Sequence, residues 1–539
     1  MKSRSTPRGT PTATRPVTPG PADAALALAA RLRAAAGALQ VNVPPPAGNP
    51  GQDAADVLVQ LCRDLHADPA DDRIWLVMTC IATAYPSRDE IDDARRMIEL
   101  NAPDDVALIL LENGLHRARL SGLPLAPFEL LVGQVLVDVD FSARHDLHTG
   151  IQRVVRNLLP HWNLERSIVP VVWARNQGML RRLDPTESTR IYDWVAHEKV
   201  VAERRRSGLR ELDALPPAES TTVVPWRCVL VLPEVPPREA VERIAAIGAC
   251  SNTSVVAVGY DMIPLVSADT VGIEEPTKFM PYLAAVKFAD RVAGISRAAA
   301  DEFAAFAAML PTQGLTGPEV VAVSLPVELN AEHPPAPPAG SPAAHTDRPQ
   351  IVIVGSHDTR KNHLAVLHAA ELLWQEGLDF GLTFIGGGGS NKEFFRRAKT
   401  LAGRGRAVEV RTSVPEDELR RAVAEARFTM FPSIHEGYGL PVAESMALGT
   451  PVITTNYGST AEIAADGGAL TVDPRDDASI TDAMRTLLTD DGAVAELRAA
   501  IAARTERTWQ DYADELWAGL VEPALTAATR NGTGHHAAS

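Results

Sequence analysis

The spacing of apolar residues divides the chain into stretches of two kinds. Between residues 54 and 126, apolar positions recur at helical spacing in DAADVLVQLCRDLHA, DRIWLVMTCIATAYP, SRDEIDDARRMIELN and DDVALILLENGLHRARLS, without strand-type alternation. This predicts a small helical accessory region over 54–130, with Ser87 and Glu90 forming a capping box. From residue 131 short continuous apolar runs take over: GQVLVDVDFS, SIVPVVWA, VVPWRCVLVLPE, TSVVAVGYDMIPLV and RVAGIS, with helical stretches such as EAVERIAAIGA and AAADEFAAFAAML among them. Strands alternating with helices mean a parallel sheet, so 131–332 reads as one α/β domain. HPPAPPAGSPAAHTDRP (333–349) is a Pro- and Ala-rich linker. A second α/β domain follows over 350–505, opening with IVIVGS and continuing through LTFIGGGGS, AVEVRT, ARFTMFPS and PVITT. Residues 1–53 carry so much Pro and Ala that they read as a disordered tail with one Ala-rich helix candidate, and 528–539 as a second tail.

The richest stretch is FPSIHEGYGLPVAESMALGTP, residues 431–451. A strand ends at Phe431. Gly437 and Gly439 bracket a tight loop, Pro441 suits the start of a helix, and Gly449 can close that helix in a left-handed cap. Strand, glycine loop and helix N-terminus together make an anion site. Glu436 in the loop and Glu444, expected in the first helical turn, flank it. Either acid alone reads as a solvated loop acid or a helix-dipole complement. As a pair they suit a sugar nucleotide, whose hydroxyls are donors for carboxylates while its diphosphate sits on the amides. Earlier in the same domain Arg360 and Lys361 follow a strand and precede a helix, where two cations suit a diphosphate whose charge grows as it leaves. Gly386 and Gly387 end another strand and allow close backbone approach. The four glycines there do not satisfy a dinucleotide fingerprint. Ser459 and Glu462 read as a local capping box.

At these residues the chain resembles the retaining glycosyltransferases of family four. Their pattern EGFGLPxxEAMAxGxPV reads EGYGLPVAESMALGTPV here, with Tyr438 for Phe and Ser445 for Ala. The resemblance runs over about 133–525 and is firmest over 350–475. It implies the GT-B fold: two Rossmann-like domains whose parallel sheets face a cleft. It also implies a late helix over 506–527 that crosses back to the first domain. A nucleotide-sugar donor would be bound by Glu444, Gly437, Tyr438, Gly439, Leu440, Gly386 and Gly387, with Glu436, Lys361 and Arg360 at the reacting centre. The TGIxR element of the family matches Thr149, Gly150 and Arg153, a loop for the acceptor or a phosphate. YDMIPL resembles the family's HDxxP element and nominates Asp261, but the usual His is Tyr260 here.

The activity implied is transfer of a hexose with retention, with GDP-mannose favoured by the RKN form of the cation loop. The acceptor would be a saccharide or lipid-linked saccharide of a cell-surface polysaccharide. The implied route is front-face substitution, with no protein nucleophile and Glu436 positioning the sugar. No acid pair is placed as a metal site, so no metal is expected. No cofactor is expected either, since the nucleotide sugar is a substrate. Two alternatives stay open: a sugar-nucleotide epimerase or phosphorylase on the same fold, and a non-catalytic saccharide- or partner-binding module.

Composition narrows the classes. A net charge of −16 argues against nucleic acid as a partner. Four cysteines without metal-like spacing suit a reducing compartment. No apolar run spans a bilayer and no signal peptide is evident, which predicts a cytoplasmic protein. ERRRSGLRE and RNQGMLRRL are basic stretches that read either as solvated faces or as peripheral contacts with the inner membrane surface.

Overall fold

A computed structural model describes residues 21–121, 128–174, 178–206, 221–326, 348–389, 391–412, 414–505 and 507–533. The chain forms two compact units, Met1–Phe128 and Glu129–Ser539.

The first unit is helical: α1 Pro21–Leu39, α2 Pro50–Ala67, α3 Asp71–Ala82, α4 Arg88–Leu100 and α5 Pro103–Ser121. The helix α1 corrects the expectation of a tail over 1–53. Its alanines favour helix and let it approach α2 and α3 closely, and Leu32 and Ala35 are fully buried. The Arg31 side chain donates to the Cys80 carbonyl at 2.8 Å, and Arg33 pairs with Asp53. Low hydrophobic contrast in the sequence hid this face, because small residues bury well without standing out. Residues 1–20 of the expected tail lie outside the described residues. The Ser87–Glu90 capping box is present at the start of α4.

The second unit holds two sheets. The strands of the first are β1 Phe128–Val132, β2 Val135–Asp138, β3 Ile168–Trp173, β4 Leu180–Arg182, β5 Thr222–Trp226, β6 Val229–Leu232, β7 Ser254–Gly259, β8 Arg291–Gly294 and β9 Glu319–Ala322. Their order is β1-β5-β4-β3-β2-β6-β7-β8-β9. From β3 to β9 the pairing is parallel, whereas β3–β4 and β4–β5 are antiparallel. This corrects the reading of VVPWRCVLVLPE as one strand. Arg227 takes a positive φ of 53° and splits the run, sending β5 to the edge and β6 to the centre beside β2.

The strands of the second sheet are β10 Gln350–Val354, β11 Gly381–Ile385, β12 Val408–Arg411, β13 Phe428–Phe431, β14 Val452–Thr455 and β15 Ala469–Val472. The order is β12-β11-β10-β13-β14-β15 and every pair is parallel. Strand order therefore reverses between β10 and β13, and in the first sheet between β2 and β6. In open α/β sheets the crevice outside such a reversal is where ligands bind. With two Rossmann-like sheets in one unit, the second unit has the GT-B architecture.

One apolar core joins the two sheets. It includes Val137, Leu158 and Val231 of the first domain, Phe431, Val442 and Met446 of the second, and Tyr512, Leu516 and Leu520 of the last helices. The helix Trp509–Leu516 lies on the first domain's helix Gly150–Glu165, where the Trp162 indole donates to the Ala513 carbonyl at 2.9 Å. Helix continues through Thr533, so the stretch expected to become a tail at 528 stays helical to that point; 534–539 lie outside the described residues. The 333–347 part of the linker is likewise outside them.

Leu32→Ala removes a fully buried side chain of α1. It is expected to lower the unfolding midpoint of the helical unit in urea, with a loss of about 2–5 kcal/mol. An unchanged midpoint would show that α1 contributes nothing to that unit.

Candidate active site

The loops that follow β10 and β13 meet at the reversal point of the second sheet. Residues Thr359–Lys361 form a short 3-10 turn after β10, and Asn362 takes a left-handed conformation with φ 58° before the helix His363–Gln375. This turn aims Arg360 and Lys361 at the loop after β13. The Arg360 guanidinium and the Lys361 ammonium each approach one carboxylate oxygen of Glu436 at 2.6 Å. All three side chains are largely buried. Burial opposes the charge on Glu436, but the two cations outweigh it and hold the carboxyl below its usual range. Burial pulls Lys361 down from its ordinary value. Lys361 also lies 4.5 Å from the centre of the Phe431 ring. The cluster keeps one net positive charge.

The loop itself is held by its carbonyls. Hydroxyls of Thr454, Thr455, Tyr457 and Ser459 donate to the carbonyls of Phe431, Ser433, Ile434 and Glu436. Arg360 donates to the His435 carbonyl at 2.7 Å, and Ser296 of the first domain to that of Gly437, also at 2.7 Å. The backbone leading to Glu436 is thus fixed before any ligand arrives.

The other nominated residues fall into place unequally. A Cβ on Gly437 would lie 2.4 Å from the Tyr260 carbonyl, so this glycine lets the first domain press against the loop. Gly439 has φ 110° and begins the helix Leu440–Ala447. That start places Glu444 in the second turn, which corrects the expected first-turn position. Burial raises Glu444, and its partner is Arg153 of the first domain at 2.5 Å. Thr149 caps its own helix together with Gln152, and Gly150 lies under Leu440. The Tyr438 ring is buried in the core and its hydroxyl donates to the Leu325 carbonyl at 2.7 Å, so its side chain serves the packing. Gly386 owes its identity to the Gly355 carbonyl, which would stand 1.9 Å from a Cβ, while Gly387 has only ordinary contact. Asp261 is partly buried, desolvation raises its carboxyl, and it accepts from the Ile263 amide at 3.1 Å beside Gly437. Tyr260, in the position of the pattern's His, is a core residue bonded to the Pro233 carbonyl.

Among the described residues no group of three or more His, Cys, Asp or Glu could hold a metal ion, and no helix is long and apolar enough to cross a membrane.

The family model "Glycosyl transferases group 1" matches residues 340–508, which hold the whole second sheet and both loops of the Glu436 cluster. This domain is a group 1 glycosyltransferase domain. The chain is 30% identical over 161 residues to the O-antigen chain mannosyltransferase B of Escherichia coli, covering 29% of this chain and 42% of that protein. It is 27% identical over 349 residues to the serotype-specific mannosyltransferase WbdA of Escherichia coli, covering 61% and 38%. It is 32% identical over 176 residues to a D-inositol 3-phosphate glycosyltransferase of Corynebacterium urealyticum, covering 31% and 41%. The chain therefore spans about two fifths of the length of these curated relatives.

Three groups around the glycosyltransferase domain escaped sequence reasoning. Glu462 does not cap its own helix. It accepts from the Arg297 and Ala298 amides at 2.9 and 2.7 Å, capping the first-domain helix Arg297–Met309. From that same helix Glu302 bonds the His435 ring and accepts from the Met262 amide at 2.7 Å, while Ser267 bonds the other ring nitrogen. At the reversal point of the first sheet, Glu234 accepts from the Phe141 and Ser142 amides, beside Asp138 and Asp140. Only the S-x-x-E spacing hinted at Glu462, and it pointed to the wrong helix.

Two stability changes follow from these charges. Glu436→Gln leaves two buried cations without their counter-charge and should cost about 3–5 kcal/mol, read as a fall in thermal midpoint. Glu234 behaves oppositely with pH, since burial pushes it up to about 7 from an ordinary 4.5. Between those values the folded state binds more protons than the unfolded state, so stability falls as pH rises through this window. Glu234→Gln should flatten that part of the stability–pH curve. An unchanged slope between pH 4.5 and 7 would show that Glu234 ionises alike in both states.

Proposed function

We propose that the second unit transfers a hexose, with retention of configuration, from a nucleotide sugar to a saccharide or lipid-linked saccharide acceptor in polysaccharide synthesis. The observation that carries this reading is the buried Arg360–Lys361–Glu436 cluster at the reversal point of a group 1 glycosyltransferase domain. Its net positive charge suits the diphosphate of the donor, and charge growing on the leaving phosphate strengthens that attraction as the glycosidic bond breaks. Glu436 is held ionised by its cations, so it positions sugar hydroxyls and donates no proton. The departing phosphate takes the acceptor proton. Glu444 takes ribose hydroxyls, and Asp261 and the Thr149–Arg153 loop face the acceptor side. The net positive charge of the cluster, together with helix N-termini, holds the diphosphate without a metal in this reading. The RKN loop and two similar proteins named as mannosyltransferases favour GDP-mannose. The site faces the cytoplasm in this reading, with peripheral membrane contact where a lipid-linked acceptor docks.

Incubation with a panel of nucleotide sugars, with and without a lipid-linked saccharide, tests this. Acceptor-dependent release of nucleoside diphosphate that survives EDTA supports the reading. Release of free sugar alone would favour an epimerase or hydrolase, and loss restored by Mg2+ would overturn the metal-free chemistry. Lys361→Ala should lower turnover on the order of 10²-fold or more. Glu444→Ala should weaken nucleoside diphosphate and donor alike. Glu436→Ala should spare nucleoside diphosphate while donor turnover falls. Equal loss of the bare nucleotide in both glutamate variants would exclude these roles.

A further inference from the structure

We infer that Arg153 is an internal competitor for the nucleotide: its guanidinium occupies the carboxylate that the ribose must take, and nucleotide binding displaces it. The inference rests on the reading that Glu444 receives the ribose.

Arg153 lies on the first-domain helix Gly150–Glu165, one turn after its N-terminus. Glu444 lies on the second-domain helix Leu440–Ala447. The two meet across the two Rossmann-like domains, with one guanidinium nitrogen 2.5 Å from Oε1 of the carboxylate. A Cβ added to Gly150 would lie 3.3 Å from the Leu440 side chain, so the starts of the two helices approach closely. Among the described residues, Glu444 is the one side-chain acceptor on Arg153, and Arg153 the one donor on the Glu444 carboxylate.

A guanidinium and a vicinal diol offer the same thing to a carboxylate, namely donors set side by side. Oε2 could accept one hydroxyl while Arg153 stays on Oε1. A 2′,3′-diol spanning both oxygens sets a hydroxyl on Oε1 from the side that the Arg153 guanidinium holds, and in that arrangement Arg153 leaves. The pair is not sealed from water: the Arg153 side chain is 33% exposed and that of Glu444 23%. Separating it is therefore inexpensive compared with a fully buried pair. When it separates, Arg153 is freed on the acceptor side while Glu444 closes on the donor. Donor occupancy is thereby signalled to the other domain by one arginine.

The sign of one measurement decides the matter. Deleting a cation near an anionic ligand ordinarily weakens binding. If Arg153 competes, Arg153→Met instead tightens guanosine diphosphate several-fold in calorimetry, and Arg153→Gln, which keeps a side chain that can donate, tightens it less. The gain should shrink for 2′-deoxyguanosine diphosphate, which engages one oxygen and need not evict the arginine. Weaker or unchanged binding of guanosine diphosphate to Arg153→Met overturns the inference, as does an equal gain for the deoxy ligand. Glu444→Ala separates this failure from that of the underlying reading. If Glu444→Ala leaves guanosine diphosphate affinity intact, Glu444 does not hold the ribose and both statements fall. If it weakens binding while Arg153→Met does not tighten it, the competition alone falls. Uridine diphosphate run in parallel shows whether the effect follows the ribose rather than the base.

Discussion

The second unit depends on keeping a carboxylate and two cations out of water together. Desolvating any one of them alone costs several kcal/mol. Glu436 is tolerable where it lies because Arg360 and Lys361 each hold one of its oxygens, and they are tolerable because Glu436 is there. The surrounding backbone follows from that requirement. A turn after β10 must deliver both cations, and a left-handed Asn362 ends it in time for the next helix to begin. The loop after β13 must arrive at one place, so its carbonyls are tied down by hydroxyls from the β14 side and by Ser296 from the other domain. The cluster retains a net positive charge.

Much of this was legible in the chain. The second sheet is entirely parallel, and parallel strands buried on both faces read as uninterrupted apolar runs between glycine loops and helices. The eight-residue spacing of Glu436 and Glu444 is local and can be read directly from the chain. What failed was everything set by distant partners. Arg153 and Glu444 are 291 positions apart, and no spacing rule reaches that far. Tyr438 occupies a motif position but points inward, since its ring finds a core and its hydroxyl finds the Leu325 carbonyl. Glu462 satisfied a local capping pattern and used its carboxylate on another domain's helix. Arg227 broke a run that periodicity had joined, because a single positive φ leaves no trace in hydrophobicity. The helix α1 stood as a candidate in the chain, but its packing did not show, because an Ala-rich face gives little contrast between buried and exposed positions.

The first domain serves the site chiefly as a fitted surface. Its Arg297–Met309 helix meets the second domain at three polar points: Ser296 on the Gly437 carbonyl, Glu302 on His435, and free amides on Glu462. Gly437 belongs to the same fit, since any side chain there would strike the Tyr260 carbonyl. Some residues that resemble ligand contacts in sequence, Gly437 and Tyr438 among them, thus let the two halves come together.

The Glu462 cap has a consequence for how such a protein can change over evolutionary time. Exchanging the second domain for that of a relative would leave the Arg297 and Ala298 amides without their carboxylate unless the incoming domain carried an acid at the matching place. A half transplanted elsewhere would carry an acid with nothing to cap. Through this cap, position 462 and the start of the Arg297–Met309 helix have to be exchanged together.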